Sequence, residues 1–391
     1  MENQGRNGKR LVLVPGPFQG QLTPMLQLAT ILKSKGFSIT VAHTHFNSPD
    51  SCFPRFHLLI FRECLTRGTN HMERGDKICG IIYDAVVYFS ETFVHDLKIP
   101  SIALHTSSAA TTIVRLILLQ LKAQGHIPML DLPLSNFGSL DYFLELVVLT
   151  SNIRLSSAII FNTIHCLKEL PLAQLHQQYQ VPIFPIGPLH KLAPTSAVSL
   201  LQEDTGCIPW LDKQTHNSVI YVSLGSIAHL DQNQLSEMAW GLANSKQPFL
   251  RVIRPGSILG SEWIESMDEE FKECVKERGS IVKWASQKKV LVHEVVGGFW
   301  SHCGWHSTLE SICVRSSDDM STMLWRPKGE CEGEIERGTV ERAVRTLMKE
   351  KEGEEMRQRV LDLKHRCDVS IGDGGSSCHY LSVLVELLRS F

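Results

Sequence analysis

The densest chemistry in the chain lies in His302-Cys303-Gly304-Trp305-His306-Ser307, with Glu310 three residues further on. The preceding GGFWS reads as a buried strand and the following TLES as the opening of a helix. A strand–turn–helix junction leaves backbone N–H groups unpaired, with partial positive charge, at the helix start. His302, His306 and Ser307 add side-chain donors there, so a diphosphate is a natural guest. Gly304 supplies backbone freedom that other residues lack. Ser307 and Glu310 have the S-x-x-E spacing of a capping box, so the same residues also describe an ordinary helix N-terminus. His302 and His306 stand four apart, as in zinc-binding helices. However, Cys-Gly-Trp between them lacks the general-base glutamate, and glycine disfavours helix there, so no metal is expected.

The elements that must position this turn alternate between strand and helix. LVLVP is a short buried strand and GPFQGQ a loop. Thr23 reads as an N-cap with Pro24 at the first helical position. Met25, Leu26, Leu28, Ala29 and Leu32 form a helical face, Gly36 is a stop, and FSITVA is a second strand. Strand–helix–strand of this length implies a parallel pair with a right-handed crossover. CGIIYDAVVYF adds a strand that runs into a loop at Asp84; SSAIIFNT and VPIFPIGP are further extended segments. HKLAPTSAVSLLQEDTG reads as a linker. A second series follows: NSVIYVSLGS, FLRVIRPGS, SIVKWAS and VGGFWSH, then a helix with Val340, Ala343, Val344, Leu347 and Met348 on one face. The expected fold is α/β, with two Rossmann-like doubly wound domains facing a cleft. Residues 1–190 form the first, 191–216 the linker and 217–391 the second, with its last helix packing back on the first domain. Ligands in such folds bind outside the carboxyl ends of the strands.

Bulk properties narrow the function. The 391 residues are 43% hydrophobic and 20% charged, with net charge -2, the profile of a soluble protein without a field for nucleic acid or anionic lipid. Eleven cysteines include no C-x-x-C pair, which suggests free thiols in a reducing compartment. The polar N-terminus lacks a signal-peptide core. The most apolar stretch, Ile102 to Leu121, is interrupted by His105 and Arg115, so no membrane-spanning segment is expected and the location reads as cytoplasmic.

WASQKKVLVHEVVGGFWSHCGWHSTLES closely resembles the donor-binding signature of plant UDP-dependent glycosyltransferases. VPGPFQGQLTPMLQLATIL, YDAVVYF, HTSSAATT, PIFPIGP, SVIYVSLGS and EGEIERGTVERAVRTLM extend the resemblance over most of the chain. It implies the GT-B arrangement, with the acceptor held by the N-terminal domain and the UDP-sugar by the C-terminal one. Trp284 would stack on uracil, and Gln287 would contact the nucleoside. His302, Gly304, His306 and Ser307 would surround the diphosphate, with Ser226 approaching from the other side. Glu310 would bind the ribose hydroxyls and Trp305 would wall the sugar. The implied reaction is inverting transfer, from UDP-glucose as co-substrate and without a cofactor, to a hydroxyl or carboxyl of a small lipophilic plant metabolite. A histidine base oriented by an aspartate takes the acceptor's proton.

The chain departs from that pattern at several points. The base position holds Gln21, which can orient a hydroxyl but cannot take its proton, while Asp84 matches the orienting aspartate. His43, His45 and His105 are the histidines nearest to a substitute. A carboxylic acceptor ionises by itself and needs no base. Position 306 holds His where the family has Asn. After LESIC, the family's sugar-binding strand and helix start give way to VRSSDDMSTMLW, with Met320 behind Asp318 and Asp319 where a Gln is usual. Both domains therefore look truncated, and turnover is expected to be impaired. The alternative is an inactive UDP-sugar-binding or interaction protein. A nicotinamide or flavin oxidoreductase is disfavoured, because PGPFQGQ lacks G-x-G-x-x-G.

Overall fold

A computed structural model describes residues 9–43, 57–60, 78–87, 94–126, 147–148, 150, 155–193, 201–226, 228–261, 271, 273, 275–276, 278–313, 324–325 and 335–391. His45, Asp318, Asp319 and Met320 lie outside these residues. The chain divides into two compact units, Met1–Val198 with Val369–Phe391, and Ser199–Asp368.

The first unit is built on seven strands, β1 (Arg10–Val14), β2 (Ser38–His43), β3 (His57–Ile60), β4 (Ile78–Asp84), β5 (Ser101–His105), β6 (Ala158–Phe161) and β7 (Ile183–Pro185). Every pairing is parallel, in the order β3-β2-β1-β4-β5-β6-β7. Parallel strands need crossovers, and helices supply them: α1 (Gln19–Ser34), α2 (Ala109–Ala123) and α3 (Glu169–Gln178), with the short α4 (Leu189–Leu192) after β7. Strands covered on both faces read as continuous apolar runs, and β5 and β6 are buried along their whole length. Val12, Val14, Tyr83, Ile159 and Phe161 join Leu172 and Leu175 of α3 in one core.

The strand order reverses between β1 and β4. This adjacency opens a crevice at the carboxyl ends, the point where open α/β sheets take ligands. Val14 pairs with Tyr83 there, so the loop carrying Gln21 and the strand end carrying Asp84 flank one switch point.

The second unit repeats the design with five strands. These are β8 (Val219–Ser223), β9 (Phe249–Val252), β10 (Gly279–Val282), β11 (Val296–Ser301) and β12 (Leu324–Trp325), in the order β10-β9-β8-β11-β12. Its helices are α5 (Cys207–Leu211), α6 (Gln232–Ser245), α7 (Gln287–Val292), α8 (Trp305–Cys313) and α9 (Arg337–Lys349). Alternate side chains of β8 and β11 go to opposite faces. Ile220, Val222 and Trp300 meet Met238 and Leu242 of α6 and Val340 and Val344 of α9. Tyr221 and Phe299, stacked 5.0 Å apart, meet Cys207, Leu211, Val290 and Leu291. Here the switch point falls between β8 and β11, where Ser223 pairs with Ser301. The turns carrying Ser226 and His302 leave from these two residues.

Three sequence expectations need correction. Helix α1 begins at Gln19, not after Thr23, and Pro24 lies inside it. The cap responsible is the Gln21 side chain, described below, which the pattern of apolar residues could not reveal. The second unit starts at Ser199, within the stretch read as linker, because Cys207 and Leu211 are drawn into the core. The edge beside β11 is not empty: β12 pairs with it through Phe299–Leu324 and Trp300–Trp325. Helix α10 is Lys351–Ile371, and α11 (Ser376–Ser390), the last helix, groups with the first unit. There Ser377 donates to the Gly187 carbonyl at 2.6 Å and Arg389 to that of Lys35 at 3.3 Å, while Leu384 and Leu388 are fully buried.

Candidate functional site

In the first unit, the Gln21 amide oxygen accepts a hydrogen bond from the Phe18 N–H at 3.3 Å, closing the N-terminus of α1. The side chain folds back over Gly16, where a Cβ would lie 2.3 Å from Gln21 Oε1. A side chain at Gly16 would displace the Gln21 amide, so in this conformation Gln21 serves the helix end.

Asp84 closes β4 and is 1% exposed. Its Oδ1 accepts from the Val86 N–H at 2.9 Å, and its Oδ2 from the Thr106 hydroxyl at 3.0 Å. Burial raises its pKa to about 6, partly offset by these two hydrogen bonds. Thr106 was invisible as a site residue in the sequence. Only the strand register, which places Asp84 opposite Leu104, brings the two together.

His105 is buried, with its ring stacked on Phe161 at 4.6 Å and 11°. Burial, together with the charge of Arg115, lowers its pKa to about 3. Its imidazole is neutral at physiological pH and a weak base, poorly matched to proton abstraction near neutrality. His43 ends β2.

The second unit gathers most of the residues named for the donor. The His302 ring lies between two glycines. A Cβ on Gly225 would meet its Cε1 at 2.4 Å, and one on Gly304 its Nε2 at 2.3 Å. The turns after β8 and β11 thus close on one imidazole, with Ser226 next to Gly225. The left-handed residue of the turn is Cys303, at φ 58, and not Gly304. The Cys303 N–H is held by Ser301 Oγ at 2.9 Å. Gly304 is required for closeness, and its carbonyl accepts the Thr308 N–H at 2.9 Å as the first bond of α8.

Helix α8 starts at Trp305, so Ser307 and Glu310 lie within it and do not form the expected capping box. They meet Gln287 instead, the first residue of α7. Gln287 Nε2 donates to Ser307 Oγ at 3.1 Å and to Glu310 Oε2 at 2.7 Å. His306 Nε2 stands 3.2 Å from the other carboxylate oxygen of Glu310. Gln287, His306, Ser307 and Glu310 therefore form one polar network over the first two turns of α8. Trp284 is partly exposed just ahead of α7, and its carbonyl accepts the Asp204 N–H at 2.9 Å. Trp305 is also partly exposed.

Chemically, this end of the second unit offers helix N–H groups, two imidazoles, a hydroxyl, a carboxylate and the Trp305 indole around one turn, with Trp284 three residues ahead of Gln287 in the sequence. Such a set suits a phosphorylated polyol carrying an aromatic base. Among the described residues there is no group of three metal-ligating side chains. No described helix is long and apolar enough to cross a membrane.

Comparison with known proteins shows the family and the fold. The family model for UDP-glucoronosyl and UDP-glucosyl transferase matches residues 199–315, which include Gln287, His302, Ser307 and Glu310. A UDP-glycosyltransferase of Arabidopsis thaliana, 76E1, is 43% identical, with 97% of each chain covered. The flavonol 3-O-glucosyltransferase UGT76E12 of the same plant is 41% identical, covering 98% of this chain and 97% of its own. The first of these alignments runs over 444 positions against a chain of 391 residues, so that relative carries internal segments absent here. Among solved structures, UGT2 of Phytolacca americana, complexed with UDP-2fluoro-glucose and pterostilbene, superposes with a TM-score of 0.80 at 24% identity, covering 98% of this chain and all of the other. Os79 from O. sativa in complex with UDP gives 0.79 at 20% identity, with 97% of this chain covered. These likenesses establish the GT-B fold.

Proposed function

Because the chain belongs to the plant UDP-glycosyltransferase family, we propose that it binds UDP-glucose at the β8/β11 switch point and transfers glucose, with inversion, to a small lipophilic plant metabolite. In this reading Trp284 stacks on uracil and Gln287 faces the nucleoside. Ser226, His302, Gly304, His306 and Ser307 surround the diphosphate, Glu310 takes the ribose hydroxyls and Trp305 borders the sugar. The N-terminus of α8 stabilises the negative charge that grows on departing UDP, so the leaving group needs no metal. No cofactor takes part, and the protein acts in the cytoplasm.

The acceptor side is the slow half. Gln21 stands where a base is needed and its amide oxygen is committed to the end of α1. Base assistance is worth about 10²–10⁴-fold, so hydroxyl acceptors turn over slowly. One observation supports donor binding above all others: His302 is gripped by two turns while Gln287, Ser307 and Glu310 are joined in one network.

The test is calorimetric titration with UDP and UDP-glucose, followed by mass-spectrometric detection of glucosides over a panel of phenols, alcohols and acids. Saturable UDP binding that weakens in Trp284→Ala and Ser307→Ala supports the reading; no binding by folded, monodisperse protein removes it. Binding without product from any acceptor would favour the second reading, an inactive nucleotide-sugar-binding protein, which Gln21 motivates.

A further inference from the structure

We propose, resting on the donor reading above, that His306 keeps one Glu310 oxygen engaged and so opens the nucleotide site to pyrimidine diphosphates that lack a ribose hydroxyl.

The pair is built into one helix. His306 and Glu310 stand four residues apart on α8, the spacing that brings side chains together on one helix face. His306 Nε2 lies 3.2 Å from Glu310 Oε1, and Gln287 Nε2 donates to Glu310 Oε2 at 2.7 Å. Each carboxylate oxygen therefore has a side-chain nitrogen beside it before any nucleotide arrives. Glu310 is 4% exposed, so these nitrogens stand in for the water that burial removes. The His306 contact is attractive when Nε2 carries the hydrogen, as in the Nε2–H tautomer or the imidazolium. An asparagine nitrogen at this position would sit one bond closer to the backbone and leave Oε1 open.

Selectivity for a hydroxyl comes from the group left unpaired in its absence. A site whose acceptor waits empty rejects the analogue lacking that hydroxyl by about 10⁴–10⁵-fold, because a buried polar group is then unsatisfied. Glu310 escapes that penalty. When one ribose hydroxyl is missing, His306 stays on Oε1 and no charge is left bare. When it is present, the ribose shares or displaces the imidazole, so its gain is that of an exchange. Oε2 remains for the other hydroxyl beside Gln287, and nucleotides still bind through Glu310. The donor class widens accordingly, from ribonucleoside diphosphate sugars to those with a 2′- or 3′-deoxyribose.

Calorimetry on the full chain compares UDP, 2′-deoxy-UDP and 3′-deoxy-UDP in wild type, His306→Asn and His306→Ala. Wild type should bind at least one deoxy analogue within about threefold of UDP. In both variants that analogue should fall behind UDP by about tenfold. Asparagine can donate to phosphate and alanine cannot, so a change shared by both reports on Glu310. Each ratio is measured within one protein, so a loss of stability common to both ligands cancels. A wild-type loss above about threefold on both analogues, or a ratio that stays within about threefold in either variant, overturns the proposal. No binding of UDP by folded wild type removes the donor reading itself.

Discussion

The Gln21 amide oxygen takes the Phe18 N–H at 3.3 Å, so the side chain at the position of the missing base is spent on holding the end of α1. Both Gln21 and Asp84 border the β1/β4 switch point, yet the carboxylate is satisfied by Val86 and Thr106. On the proposed reading, the acceptor side lacks a proton acceptor at position 21.

Gln21→His should restore proton abstraction. Initial rates with phenolic acceptors should rise, by up to about 10²–10⁴-fold, with a pH–rate limb near the ordinary imidazole range. Loss of the cap should cost about 0.5–2 kcal/mol of stability, read as a lower Tm. Rates with carboxylic acceptors should change little. An unchanged phenol rate in a folded variant would show that position 21 does not reach the acceptor.

His306→Asn bears on the donor network. Removing the imidazole frees the Glu310 oxygen that it now faces at 3.2 Å, while the asparagine amide still donates to phosphate. UDP should bind more tightly by roughly threefold to tenfold in calorimetry. Glu310→Gln should weaken UDP by about tenfold or more, because the ribose hydroxyls lose a charged acceptor.

Asp84→Asn should remove a pH-dependent cost. The folded-state pKa, about 6, lies above the ordinary carboxylate value of 3.8, so the native state holds this proton more tightly than the unfolded chain. Stability therefore declines as pH rises from about 4 to 6, and the penalty is complete above that. The Asn variant should be more stable near pH 7.5, by up to about 3 kcal/mol, with the advantage shrinking toward pH 4. Chemical denaturation at several pH values measures this, and a constant difference across the range would refute it.

Arg251 gives a test in the second core. It is 2% exposed in β9, with Nη2 3.7 Å from Met238 Sδ and Nη1 without a partner, and burial lowers its pKa to about 10. Arg251→Met should add about 1–3 kcal/mol, visible as a higher Tm of the second unit, with UDP affinity unchanged.

The strands could be read from the sequence because parallel strands, buried on both faces, are continuous apolar runs such as LVLV and VIYVS. The grouping of Gln287, Ser307 and Glu310 followed from the long signature around them. What could not be read was the destination of individual polar groups. Gln21 and Glu310 have similar reach in sequence, but one ends a helix and the other joins a network across two helices. The left-handed residue fell on Cys303 and not on its glycine neighbour, since Gly304 is needed for contact with His302. Thr106 acquired its partner through strand register, which no local pattern encodes.

The seating of α11 in the first unit has a consequence for biosynthesis. On the ribosome, β1 to β7 emerge early, but residues 369–391, which bond to Gly187 and Lys35, are translated only after the entire second unit. The nascent first unit must wait with the site for Leu384 and Leu388 uncovered, a window in which chaperones have apolar surface to hold.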